Sequence, residues 1–299
     1  MKTAKPMGLV EWLLLIALSI LWGGSFFFNE LAIVGFDPFS AVLWRVGIAG
    51  FLLWGYLKLR GLSLPSKIAD WRAFLIMGAL NNLIPFTLIV WGQTQIDSGL
   101  ASIFNAATPL FTVLLAHYLT TDEKMTWSKG GGVAVGFGGV AFLIGPEALS
   151  GLDGPMLGQL AIVAATVSYA FAGIFGKRMV HYDPAASAAG MLLGATIMSL
   201  PLAFVLGDTF AGMTDLTALA GIFGLGTVST ALAYLLYFRI LNSAGATNLL
   251  LVTLLIPVSA GFLGVAFLGE VFTSDAFWGM GLISLGLIAV DGRLLRRKT

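Results

Sequence analysis

The residues able to do chemistry in this chain are amides, hydroxyls and aromatic rings set inside long apolar runs. Trp22, Ser25 and Asn29 share one helical face. Asn81, Asn82 and Phe86 lie within about one turn of each other. Ser102, Asn105 and Thr108 follow at spacings of three, and Thr230, Tyr234 and Tyr237 at i, i+4 and i+7. Ser168, Tyr169, Ser229, Asn248 and Thr253 complete the set. In hydrocarbon such groups must find partners or line a wet cavity. Taken singly, each reads as well as glue between helices. Taken together, they read as the lining of one pathway. Amides and helix ends hold an amine and a carboxylate, and an aromatic side chain stacks on rings. A strongly anionic substrate would need several intramembrane cations, and Arg45 is the only candidate.

Catalysis has little to work with. The chain has no cysteine, which excludes disulfides, thiolate metal sites and a cysteine nucleophile. His117 and His181 lack a second histidine or carboxylate at ligand spacing and read as interfacial side chains. No HExxH, Gly-x-Ser-x-Gly or phosphate-cradling loop is present. No cofactor, metal or nucleic-acid partner is expected. A membrane enzyme or a non-transporting scaffold is the rival from another class. Every Asp and Glu falls at a span end or in a linker, so the expectation is facilitated, downhill transport. Arg45 lies about two turns inside a span. It either snorkels or pairs with Asp37 or Glu30, or it serves as a gate or carboxylate anchor.

The elements that must position these groups follow from composition. Of 299 residues, 58% are apolar and only 10% charged, against about a quarter charged in a soluble domain. An all-α polytopic membrane protein is the reading. Ten apolar segments stand out: Val10–Phe28, Phe39–Leu59, Trp71–Trp91, Asp97–Leu119, Trp127–Gly145, Met156–Phe175, Ala185–Gly207, Leu216–Phe238, Ala246–Leu268 and Ala276–Leu295. With ten spans, Lys2, Lys5, Lys58, Arg60, Lys67, Arg72, Lys124, Lys129, Lys177, Arg178, Arg239, Arg293, Arg296, Arg297 and Lys298 all fall on one side. The opposite linkers carry Glu30, Asp37, Asp97, Glu147, Asp153, Asp208, Asp215 and Asp275. The positive-inside rule then puts both termini in the cytoplasm. The first segment reads as a span rather than a cleaved signal peptide, because further spans follow at once. Trp12, Trp54, Trp71, Trp91, Trp127 and Trp278 sit near span ends, where amphipathic rings prefer the interface, and Trp22 does not.

The halves repeat. At one offset, Pro257 answers Pro109, Thr253 answers Asn105, Thr230 answers Asn82 and Glu270 answers Asp122. Asp37-Pro38 before the second span resembles Asp183-Pro184 before the seventh. Residues 1–148 and 149–299 each hold five spans, an odd number, so the second half enters from the opposite side. An inverted repeat of this kind places a substrate site near the midplane between the halves. Pro109 and Pro257 read as hinges or as fixed kinks. Glycines crowd the fifth span (Gly132, Gly136, Gly139) and the tenth (Gly279, Gly281, Gly286). They read as packing scaffold and offer a homodimer contact.

Leu21-Trp22-Gly23-Gly24-Ser25-Phe26 resembles the opening motif of the EamA-type transporters of the drug/metabolite transporter superfamily. Pro38 with Arg45, and Ala101 through Pro109 leading to Asp122-Glu123, look like the rest of that repeat. Pro257 through Glu270 looks like its second copy. Met191 stands where a second arginine would match Arg45. Within the family the chain looks most like the YddG-type amino acid exporters. That resemblance implies a bacterial inner-membrane bundle of ten helices in two inverted five-helix repeats, exporting aromatic and other neutral amino acids by alternating access. A drug or other metabolite exporter of the same fold is the alternative.

Overall fold

The computed structural model describes residues 7–121, 124–145, 153–249 and 251–291. Lys2, Lys5, Asp122, Glu123, Glu147, Arg293, Arg296, Arg297 and Lys298 lie outside them. Among the described residues there is helix and no strand. Seven helices are long and apolar enough to cross a membrane: α1 (Leu9–Ala32), α2 (Pro38–Leu59), α3 (Ile68–Gln93), α4 (Ser98–Leu119), α6 (Gly154–Met179), α7 (Pro184–Leu206) and α8 (Leu216–Ala244). Three shorter apolar helices are α5 (Lys129–Ile144), α9 (Val252–Leu268) and α10 (Ser274–Val290). Their outward faces carry exposed Leu13, Ile20, Phe51, Phe204, Phe262 and Leu285, as a bilayer requires and water would penalise.

Local sequence explains where the helices start. Asp37 accepts from the backbone N–H groups of Phe39 and Ser40, with Pro38 in the first turn. Asp183 does the same for Ala185 and Ala186, with Pro184 behind it. An aspartate fills the orphan donors, and a proline has no N–H to waste. Helix α1 runs past the expected end at Phe28 to Ala32, which carries Asn29 and Glu30 into the bundle.

Three of the helices are broken where the polar residues lie. In α3, Pro85 has no N–H and its ring crowds the carbonyl four residues back. The backbone widens into a π turn over Ala79–Leu83, with Ile84 N–H bonded to the Ala79 carbonyl. In α4 the helix stops at Asn105 and restarts at Thr108. Pro109 leaves the Asn105 carbonyl without its usual donor, and the Thr108 hydroxyl takes that place at 2.7 Å. Pro109 therefore opens a new helix, whereas Pro257 lies inside the α-helical run Val252–Leu263. The two prolines match in sequence and differ in structural role. Helix α8 is π-helical over Gly224–Leu232.

Packing pairs α5 with α10, α2 with α7, α1 with α9, α3 with α6 and with α7, α4 with α6, and α8 with both α1 and α2. The glycines of α5 and α10 meet each other: the backbones touch at Gly132 and Gly286. Gly132, Gly136, Gly139, Gly279 and Gly286 thus serve as packing scaffold within the chain, as expected. At one end of the bundle the Tyr182 hydroxyl donates to the Asp70 carboxylate, which pushes the phenol's pKa up. At the other end the Trp44 indole donates to the Thr209 carbonyl, and Asp208 N–H to Asp37.

Candidate functional site

The site is built around Arg45. Helix α2 carries it into the bundle, where it is 5% exposed. Its Nε donates to the Thr230 hydroxyl at 3.1 Å, and its guanidinium lies 3.7 Å from the centre of the Phe86 ring. The face of that ring is the negative side of its quadrupole and attracts the cation. Gly226 makes the approach possible. A Cβ there would stand 2.7 Å from Ile48 and 3.3 Å from the Arg45 carbonyl, so α2 and α8 close on each other one turn before Thr230. Among the described residues no carboxylate acts on Arg45; Tyr169 and Tyr234 are the ionisable groups beside it. Asp37 caps α2 and Glu30 is held by Gln93. The expected pairing of Arg45 with either one is not made.

The π turns of α3 and α8 bring the rest together. Asn81 donates to the Tyr234 hydroxyl at 3.0 Å. Asn82 is fully buried and also faces Tyr234, yet neither its nitrogen nor its oxygen completes a hydrogen bond. Around these amides stands an aromatic wall. Trp22 and Tyr237 have ring centres 5.8 Å apart, Tyr234 and Tyr237 6.3 Å, and Tyr234 stacks on Phe238. Tyr169 packs against both hydrophobic clusters of the core and so lies between them. A π turn carries polar groups at positions a regular helix would turn away, and such turns recur at working sites. The arrangement offers one buried positive charge, an unsatisfied amide at Asn82 and a ring-lined wall: recognition chemistry for a small molecule with a carboxylate and an apolar part.

Of the expected residues, Trp22, Asn82, Phe86, Tyr169, Thr230 and Tyr234 join this cluster with Arg45. Others do not. The Ser102 hydroxyl donates to the Gly99 carbonyl of its own helix, Thr108 to Asn105 and Asn248 to the Ala244 carbonyl. These groups fasten helix backbone rather than face the cluster. Asn105 keeps one buried side-chain oxygen without a partner, at the break in α4. Ser25 is buried on α1, Thr253 is half-buried in the first turn of α9, and Pro257 is buried. Gln93 was missing from the expected set and holds three groups together. It accepts from Asn29 at 2.7 Å and donates to Glu30 at 2.7 Å and the Phe26 carbonyl at 2.9 Å. Its signal was present: Gln93 continues the Asn82–Phe86 stripe at helical spacing.

The same end of the bundle holds a tie between the halves. Glu270, after α9, accepts from Ser98 N–H at 2.8 Å and Gly99 N–H at 3.0 Å, the first turn of α4. A carboxylate is well placed at a helix N-terminus. Glu270→Gln offers one acceptor where two donors wait. It is expected to cost about 1.5–3 kcal/mol, read as a lower thermal midpoint of the purified protein in detergent. An unchanged midpoint would show that the tie does not hold the halves.

The chain matches the EamA-like transporter family over residues 10–145 and again over 156–290. The chain belongs to this family. It is 25% identical to the uncharacterized transporter YoaV of Bacillus subtilis over 253 residues, 84% of this chain and 86% of that one. It is 27% identical to the uncharacterized inner membrane transporter YedA of Escherichia coli K12, over 84% of this chain and 80% of that one. It is 26% identical to protein PecM of Dickeya dadantii, over 81% and 79%. A solved crystal structure superposes with a TM-score of 0.68 at 18% identity, covering 97% of this chain and 99% of that one, and so shares the fold. This EamA protein is a multi-pass membrane transporter of small metabolites and not an enzyme.

Proposed function

We propose that this EamA-family transporter exports amino acids, aromatic and other neutral ones, through the Arg45 cluster. The observation that carries the reading is a buried guanidinium on which no carboxylate among the described residues acts, set beside an aromatic wall. Arg45 takes the substrate carboxylate. The amide oxygens of Asn81 and Asn82 take the amine, and Trp22, Tyr169, Tyr234 and Tyr237 line the side-chain pocket. One fixed cation suits a monoanionic headgroup and leaves a diphosphate undercompensated.

Ten spans in two inverted repeats, residues 1–148 and 149–299, give this site its place at the interface of the halves. The packing supports the division. Exchanging each helix for its counterpart five along turns the pair α1–α9 into α6–α4, α3–α6 into α8–α1 and α3–α7 into α8–α2, all of which pack. The two family matches divide in the same place. The location is the bacterial inner membrane, as for YedA, with both termini in the cytoplasm by the placement of Lys and Arg. Alternating access uses the break before Pro109 as a hinge.

The test is counterflow in proteoliposomes, with phenylalanine, tryptophan, threonine, glutamate or a nucleotide sugar inside and labelled phenylalanine outside. Internal neutral amino acids are expected to stimulate uptake and the nucleotide sugar to leave it unchanged. No stimulation by any amino acid in tight vesicles would reject the reading in favour of another metabolite.

A further inference from the structure

At the end of the bundle opposite the linker lysines and arginines, three carboxylates converge with no cation among them in the described residues. Glu30 ends α1, Asp97 precedes α4 and Glu270 follows α9; Asp97 and Glu270 both lie close enough to Glu30 for like-charge repulsion. Glu270 accepts from two backbone N–H groups. The Gln93 amide holds one oxygen of Glu30, Oε1, and Oε2 is the oxygen it does not hold. The elements packed on this end of α1 contribute few other charges. Helix α3 from Ile84 to Gln93, α4 and the α9 run Val252–Leu268 carry no titratable group apart from His117 and Tyr118 at the far end of α4. Helix α8 begins at Asp215, whose carboxylate caps its own first turn, and otherwise brings Tyr234, Tyr237 and Arg239 toward its other end.

Two orphaned groups flank these carboxylates, one beside Gln93 and one beside Glu270. The Asn29 side chain is fully buried; its nitrogen donates to Gln93 and its oxygen has no donor. Ser98 is fully buried as well, with an unpartnered hydroxyl on the side of Gly264 where Glu270 Oε2 lies; a Cβ on Gly264 would be 2.2 Å from that oxygen and 3.2 Å from the hydroxyl. Buried acceptors without donors, set among carboxylates without cations, call for a ligand that brings protons. Sequence alone left Glu30 in a linker and pointed to downhill transport; α1 extends far enough to carry it inside.

We propose that Glu30 is the binding site of an exchangeable proton, which Gln93 positions through Oε1 and the Asp97 and Glu270 carboxylates attract, and that its release and uptake couple transport to a pH gradient. The step is one protonation. A proton from water on that face adds to Glu30 Oε2, giving the neutral acid, and leaves to water when the site opens to the other side. Coupling to substrate rests on the amino acid reading above; proton binding itself does not.

Two measurements separate them. Infrared difference spectra of the purified protein, titrated over roughly pH 5–9, are expected to show a protonated carboxylic acid band that Glu30→Gln removes and Asp97→Asn keeps. A band that persists in Glu30→Gln, or no band at all, overturns the site whatever the substrate is. In proteoliposomes, an inside-acid gradient of one pH unit is expected to drive phenylalanine above equilibrium by up to about tenfold at one proton per substrate. Glu30→Gln is expected to bring accumulation back to equilibrium while exchange remains measurable. Counterflow that proceeds without any response to the pH gradient, or that follows a sodium gradient instead, overturns the coupling and leaves the amino acid carrier standing. Absence of counterflow rejects the substrate reading alone.

Discussion

Arg45→Met is expected to lower phenylalanine counterflow by about 10- to 150-fold, the value of a charge-assisted hydrogen bond of about 1.5–3 kcal/mol. Methionine is the residue that the second half carries at the matching position, Met191. It keeps the bulk and removes the charge. The same variant is expected to melt at the wild-type temperature or above it. A buried charge with no ionic partner is a cost to the fold, and an apolar replacement of similar volume is neutral or favourable. Arg45→Lys keeps the charge but loses the planar face on Phe86 and the fork for a carboxylate, so it is expected to recover only part of the rate. A structural role for Arg45 predicts the reverse pattern: a lower melting temperature with exchange per folded molecule preserved. Thermal unfolding in detergent, run beside counterflow, tells the two apart.

Gly286→Val is the second large effect, and it is an effect on the fold. A Cβ at Gly286 would lie 2.6 Å from the Gly132 carbonyl oxygen, 2.6 Å from Gly136 N and 2.7 Å from Gly136 Cα. These are backbone atoms, so no side chain can swing aside and α5 must part from α10. Overpacking of this kind costs about 1–3 kcal/mol for one carbon, and valine adds two more. The expected result is a strongly reduced yield of folded monomer and a lower melting temperature. Gly281→Ala, where a Cβ meets nothing within 4 Å, is the control and is expected to stay within about 0.5 kcal/mol of wild type. If Gly286→Val melted like wild type and only changed the oligomeric state in detergent, the glycines would be serving contacts between copies.

Much of this protein is legible in one dimension. Apolar runs, tryptophans near their ends and one-sided lysines and arginines follow from the solvent that a bilayer is, and they need no tertiary contact to be read. The helix starts at Asp37-Pro38 and Asp183-Pro184 are equally local, because cap and proline act within one turn. Asn82, Phe86, Thr230 and Tyr234 stood out because polar residues at helical spacing in hydrocarbon must face something.

Partners were beyond the sequence. Ser102, Asn105, Thr108 and Asn248 carry the same signal as Asn82, yet Ser102, Thr108 and Asn248 spend their donors on nearby carbonyls. Spacing gives a residue's face and says nothing of what stands opposite. Arg45 had Asp37 and Glu30 as candidate partners within fifteen residues; the fold gives Asp37 to the start of α2 and to the backbone just past the end of α7, gives Glu30 to Gln93, and gives Arg45 Thr230, 185 positions away. The glycines of α5 and α10 look alike in sequence whatever they face, and only the tertiary structure shows that Gly132 and Gly286 meet each other. Composition and period fixed the membrane, the helices and the polar stripes, since those depend on each residue and its solvent. The tertiary structure alone decided which stripe meets which, since that depends on helix crossings and π turns that bring distant residues within hydrogen-bonding distance.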